Sequence, residues 1–137
     1  MARFDTTGLD AVLNDMKLMG ELTGPTADKM LMAGAEQVKK AWKASAERHH
    51  HRDTGDMIES IGYPRKPTTV YGVRAIDIYP QGKDHKGIRN AEKAFILHYG
   101  TKKIPGSHWV DDADEMAGPL VEQAMTEIWD DHLKGLD

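Results

Sequence analysis

From Ala27 to about His50, the positions Met30, Leu31, Gly34, Ala35, Val38, Ala41, Trp42 and Ser45 recur along a single stripe, while Glu36, Lys39, Lys40, Lys43 and Glu47 fall mostly off it. Spacings of three and four residues sustained over this length specify a long amphipathic helix with one buried face. Ahead of it, Leu9, Val12, Leu13, Met16 and Met19 give Asp10–Leu22 the same periodicity over a shorter span. Thr23-Gly24-Pro25-Thr26 separates the two helices. Proline is tolerated in a first turn, and threonine can cap free amides. Arg48-His49-His50-His51-Arg52 closes the long helix with positive charge, which suits the negative end of the helix dipole.

Downstream, the pattern changes. Asp53-Thr54-Gly55-Asp56 reads as a turn and Met57–Ile61 as a short apolar segment of about one helical turn. Gly62-Tyr63-Pro64-Arg65-Lys66-Pro67 belongs to an edge strand or loop, because Pro64 and Pro67 cannot donate ladder hydrogen bonds. Thr68–Tyr79 is the best strand, rich in Val, Ile, Tyr and Thr, with a bulge or close backbone approach expected at Gly72. The polar Pro80–Gly87 stretch is expected to be a mobile loop. Ala91–Tyr99 carries both periods: Phe95, Leu97 and Tyr99 alternate, while Ala91, Ala94, Phe95 and His98 have helical spacing. A helical turn leading into an extended Leu97–Thr101 is expected. A last helix starts near Asp111, with Ala113, Met116, Ala117, Leu120, Ala124, Ile128 and His132 on one face and a kink or restart at Gly118-Pro119. The expected fold is α+β, a long N-terminal helix and a C-terminal helix packed on a small, mostly antiparallel sheet. One domain spans 1–137, with an N-terminal helix and linker over 1–25 and the core over 26–137.

The chain has 137 residues, 39% apolar and 29% charged, and contains no cysteine. Disulfide and thiolate chemistry are thereby excluded. No apolar run approaches the roughly 20 residues of a membrane helix, and Met1-Ala2-Arg3-Phe4-Asp5 does not lead into a secretory apolar region. Synthesis in the cytoplasm is the expectation. Charge is divided unevenly: residues 1–110 carry 17 basic and 13 acidic side chains, net +4, whereas 111–137 carry one lysine and nine acids, net −8. An acidic terminal helix repels phosphates and keeps the protein soluble.

Candidate chemistry is sparse. His49, His50 and His51 are adjacent, so on a helix they point about 100° apart and cannot all reach one ion. His98 and His108 flank a Gly-Thr turn without the acidic spacing of a zinc-hydrolase helix, and packing roles are expected for them. Asp111, Asp112, Asp114 and Glu115 lack the spacing and central glycine of a calcium loop and suit a helix N-terminus. Nucleophile motifs, phosphate-cradling loops and dinucleotide fingerprints are absent. The residues therefore point to no catalytic, cofactor or metal site, and to a protein that is not an enzyme. Lys39, Lys40, Lys43, Arg48, Arg52, Lys102 and Lys103 form local basic patches, but a pI near 5.9 argues against a dedicated nucleic-acid binder. Trp42, on the apolar stripe, is expected in the core. Alternative readings are a small His-dependent metal or nucleic-acid-processing enzyme using His49, His51, His98 or His108, and a DNA-contacting adaptor.

Three short segments carry a resemblance: Thr54-Gly55-Asp56-Met57-Ile58-Glu59-Ser60-Ile61, His98-Tyr99-Gly100-Thr101 and Ser107-His108-Trp109-Val110. In order and spacing, over roughly Thr26 to Ile128, the chain resembles the HK97 gene-product-10-like family of tailed-phage tail-completion and head-tail joining proteins. It departs from the family pattern at Met57, where leucine is usual, at His98, where glutamate is usual, and at Ser107-His108-Trp109, where Pro-Phe is common. The resemblance implies a structural virion protein, synthesised in the host cytoplasm and assembled as a homo-oligomeric ring in the neck. Its neighbours would be connector or stopper proteins and tail terminator or tail tube proteins. DNA would pass an axial channel without sequence-specific binding, and no membrane is involved. Thr54, Gly55, Met57, Ser60, Ile61, Tyr99, Gly100, Thr101 and Trp109 would be the structural motif. Lys83, Asp84, His85, Lys86, Lys102 and Lys103 would mark partner-facing loops. Physically, Gly55 and Gly100 suit turns of positive φ, Thr54 and Thr101 can bond neighbouring backbone, and Trp109 can anchor the last helix.

Overall fold

The computed structural model describes residues 2–4, 25–71 and 73–135. In chain order it contains β1 (Ala2–Phe4), α1 (Pro25–Arg48), α2 (Asp56–Glu59), β2 (Ile61–Gly62), β3 (Thr68–Val70), β4 (Val73–Pro80), α3 (Asn90–Tyr99) and α4 (Trp109–Lys134). The architecture is α+β, as the periodicities require. The helix expected over Asp10–Leu22 lies outside the described residues.

Every residue of the sequence stripe is buried in α1, together with Ala27 and Ala46. This face packs on α4 and on β4. Pro25 opens the helix, where its missing amide costs nothing. The far end closes with His51 N–H bonded to Ala46 C=O at 2.9 Å and His50 N–H to Glu47 C=O at 3.0 Å. His50 sits at φ 60° in this Schellman reversal, a conformation histidine tolerates better than most residues. Arg52 lies beyond the helix and pairs with Glu47 at 2.6 Å and Glu59 at 3.4 Å.

β4 is the spine of the sheet. β1 pairs with it antiparallel through Arg3↔Asp77, β2 through Ile61↔Pro80, and β3 through Thr68↔Ala75. Ile76, Ile78 and Pro80 alternate into the core, and the expected alternation around Asp77 holds. Two expectations are corrected. Thr68–Tyr79 is not one bulged strand: Val70 pairs with Val73, so the chain reverses there into a hairpin, and Gly72 itself lies outside the described residues. Two-residue loops need positive φ, and Tyr71 supplies it at φ 50°. Ala2–Phe4, assigned to a helix-and-linker segment, instead adds a strand to β4. Pro64 and Pro67 fall between β2 and β3, where pairing is interrupted. Arg74 clamps the sheet to α1 through Asp28, with Nη2 at 2.7 and 2.8 Å from the two carboxylate oxygens.

The C-terminal helix is longer and differently phased than expected. It starts at Trp109 and buries Trp109, Ala113, Ala117, Val121 and Met125, steps of four that follow the long partner α1. Met116 and Leu120, assigned to the core face, are exposed, while Ala124, Ile128 and His132 are half-buried. No restart occurs at Gly118-Pro119, and the helix runs on through Pro119. Glu115 and Pro119 are both exposed, so the carbonyl that loses its amide partner is open to water. Likewise α3 is helical through Tyr99, replacing the extended Leu97–Thr101. No helix among the described residues is long and apolar enough to cross a membrane.

Candidate partner-facing surface and histidine cluster

The three motif segments meet around the C-terminal end of α1. Gly55 precedes α2 at φ 92°, Thr54 Oγ1 accepts the Asp56 amide at 3.3 Å, and Ser60 Oγ donates to Met57 C=O at 2.6 Å. Met57 and Ile61 are buried. The Thr54–Met57 segment and His51 face Lys93, Ile96 and Leu97 of α3 across a cavity of about 340 Å³. Trp109 is fully buried, its ring 5.4 Å from Trp42 and edge-on to it, with its Nε1–H directed at Ala94 C=O at 3.4 Å. Ser45, also fully buried, donates its hydroxyl to Trp109 C=O at 2.6 Å. Both tryptophans are thus core residues, as expected.

Gly100 and Gly106 form a backbone crossing that no side chain fits. Gly100 has φ 82°, and a Cβ there would lie 2.4 Å from the Gly106 nitrogen and 2.5 Å from Ile104 C=O. At Gly106 a Cβ would lie 2.6 Å from His98 C=O. Between them, Thr101 Oγ1 accepts the amides of Lys103 and Ile104 at 3.2 and 3.1 Å. Lys102 and Lys103 are held outward on this closed loop. Tyr99 is 60% exposed, and Phe95, one turn earlier, is 57% exposed with its ring 4.7 Å away.

The loop after β4, expected to be mobile, is tied down by internal bonds, and Asp84, expected on a partner-facing loop, lies buried at their centre. Asp84 is buried; its Oδ1 accepts the Lys86 and Ile88 amides, both at 2.9 Å, and Oδ2 pairs with Lys93. The lysine and the two amides hold its carboxyl down at about 2, although partial burial opposes them. Lys83, His85 and Lys86 do face solvent, and His85 Nδ1 sits 2.7 Å from the Asp56 carboxylate.

Five of the seven histidines fall in two groups. The His49 and His51 rings stack with centroids 5.9 Å apart, His49 reaching Asp112 at 2.6 Å and His51 reaching Ser107 Oγ at 2.7 Å, while His50 is exposed, so the three adjacent histidines do not share one site. His98, His108 and Asp111 do converge: one donor atom from each lies within 4.8 Å of the other two. His108 Nδ1 is 3.5 Å from Asp111 Oδ2, and His98 Nε2 is 4.0 Å from Asp111 Oδ1. However, His98 Nδ1 accepts the Val110 amide at 3.3 Å, which places the proton of the neutral ring on Nε2, the atom facing Asp111. A metal-bound histidine normally donates from its other nitrogen. The cluster is thus arranged as a packing contact at the start of α4.

Burial lowers the His98 pKa, against the pull of Asp111, and burial together with His49 and His50 lowers that of His51. A lowered histidine pKa stabilises the fold above the unfolded value of 6.5, and that stability is lost as pH falls through the folded value. Asp84 contributes above its unfolded value of 3.8 and loses its contribution as pH falls to about 2. Denaturant midpoints measured against pH are therefore expected to fall in two stages, one below 6.5 and one between 3.8 and 2. Asp84→Asn should shrink the lower stage and leave the upper one intact, the remainder of the lower stage coming from Asp56, which His85 holds down. A lower stage unchanged in that variant would refute the assignment.

A second concavity, about 240 Å³, lies between α3 and the start of α4. Trp42, Phe95 and Tyr99 give it aromatic walls, and Asp111 and Asp114 give it negative charge. Asp114 Oδ1 accepts Trp42 Nε1–H at 3.1 Å. Burial nevertheless pushes the Asp114 carboxyl up, with the tryptophan bond opposing. The sequence reading placed Asp111 and Asp114 at a helix start, which is correct, but gave no sign of this cleft. Its signal is tertiary, because it needs Phe95 and Tyr99 on one face of a continuous α3. Comparison with known proteins adds no relative: no family model, curated protein or solved structure gives a significant match.

Proposed function

We propose that the chain is a structural subunit of a tailed-phage neck, a tail-completion or head-tail joining protein that works by protein–protein contact in a ring around an axial DNA channel. The observation that carries this reading is what the family-like residues do. Gly55, Met57, Ile61, Gly100, Thr101 and Trp109 are all used in turns, loop closure or core packing. The same framework holds Phe95, Tyr99, Lys102 and Lys103 out toward solvent. Rigid loops and exposed aromatics on a packed scaffold suit partner recognition.

Native mass spectrometry of the purified protein, followed by imaging of particles made with it, tests the proposal. A ring, or a monomer that joins the neck of tailed particles, is the expected result. A stable small species that never associates with particles would overturn it. The competing reading as a metal-dependent enzyme draws on the convergence of His98, His108 and Asp111. Stoichiometric zinc retained by the purified protein and lost in His108→Ala would favour that reading instead.

A further inference from the structure

Arg48 is an exposed cation at the end of α1 whose guanidinium meets Met116 Sδ at 3.4 Å and, among the described residues, no carboxylate. Met116 is exposed, as is Leu120 one turn further along α4. At about 100° per residue, Met116 and Leu120 lie roughly 100° and 60° to one side of Ala117, the centre of the buried stripe. Asp114 and Asp111 lie about 60° and 120° to the other side, where they line the aromatic cleft. One helix therefore displays two unlike surfaces on opposite flanks. One has a guanidinium that meets Met116 and, among the described residues, no carboxylate, with Leu120 exposed one turn further along α4. The other has two carboxylates with Phe95, Tyr99 and Trp42.

We infer that the α3/α4 cleft of one copy receives Arg48 of a second copy, with Met116 and Leu120 packing against Phe95 and Tyr99. The inference rests on the ring reading above and names its subunit contact. A second copy is the partner that fits, because the charge and apolar complementarity lie within this one chain. A guanidinium is planar, stacks on aromatic faces and bonds carboxylates in pairs, and the cleft offers both. An arriving cation would also favour the charged form of the Asp114 carboxyl, against the burial that pushes its pKa up. Because the two surfaces differ, the contact is heterologous and repeats from copy to copy, closing into a ring when the rotation permits.

Sedimentation velocity of the full chain at low salt tests the contact. The wild type is expected to associate with rising concentration. Arg48→Glu and Asp111→Lys, both exposed positions, should each weaken association roughly 30-fold or more. Circular dichroism on each variant confirms that the fold is retained. Mixed in equal amounts, the two variants keep one intact cleft and one intact Arg48 between them, so mixing should restore association that neither variant shows alone. A wild type that stays monomeric to about 1 mM would overturn the contact. So would wild-type association unaffected by both substitutions. Incorporation into particles separates the two levels: variants that enter the neck as well as the wild type would sink the contact and leave the ring reading standing, whereas a wild type that never enters would sink the ring reading.

Discussion

Trp109→Ala is expected to cost about 3–5 kcal/mol, the range for removing a fully buried large aromatic, and to leave much of the population unfolded at 37 °C. The reasoning is local. Trp109 opens α4, is 0% exposed, packs edge-on against Trp42 and carries the carbonyl that Ser45 satisfies. Truncation empties the junction between α1, α3 and α4 at once. Trp109→Phe should recover part of the loss, since it restores the ring contact without the bond to Ala94. Chemical denaturation followed by circular dichroism gives both numbers, and a loss below about 1 kcal/mol for the alanine variant would contradict the assigned anchor.

Gly100→Ala should be nearly as damaging, by a different route. The residue combines φ 82° with ψ −179°, a region essentially reserved for glycine. Its missing side chain is also occupied space, since a Cβ would meet the backbone of Gly106 and Ile104 at 2.4 and 2.5 Å. Neither atom belongs to a side chain that could swing away. Strain of order 1–3 kcal/mol from the dihedrals adds to the cost of opening the loop. The variant is expected to lose that stability and to free the Thr101–Pro105 loop, giving faster amide exchange at Lys103 and Ile104, whose amides Thr101 now holds. Gly55→Ala provides the contrast. Its φ is 92°, but the clash is with the flexible Arg52 guanidinium. A loss for Gly100→Ala no larger than that for Gly55→Ala would refute the crossing as the cause.

Local signals in the sequence reached the structure where one period dominated. The stripe from Met30 to Ser45 named the buried face of α1 residue by residue, because a long helix averages over many positions. Met57–Ile61 and the alternation at Ile76 and Ile78 were legible because polar or turn residues bound each short apolar run. In α4 the apolar residues Met116 and Leu120 misled the phase: which flank of a helix is buried depends on its partner, and α1 engages the steps Ala113, Ala117, Val121 and Met125. The hairpin at Tyr71 was hidden because a two-residue reversal inside a β-rich run looks like a bulge. Asp84 looked like a surface acid because its lysine partner is nine positions away on α3. The aromatic cleft and the isolation of Arg48 depend on which elements pack side by side, and no window of sequence holds that information.

The pairing of α1 with α4 also sets an order of events during synthesis. Trp42 and its neighbours leave the ribosome well before Trp109, their main cover in the finished protein. At roughly 5–20 residues per second, the intervening stretch of about 70 residues takes on the order of 3–14 s to make. During that interval the apolar face of α1 has β4 and the short α2 and β2 to lean on, and lacks α4, its most extensive partner. The nascent chain thus passes through a stage in which the α4-facing side of its future core is open. It is then that chaperone capture, or association with another growing chain, competes with folding.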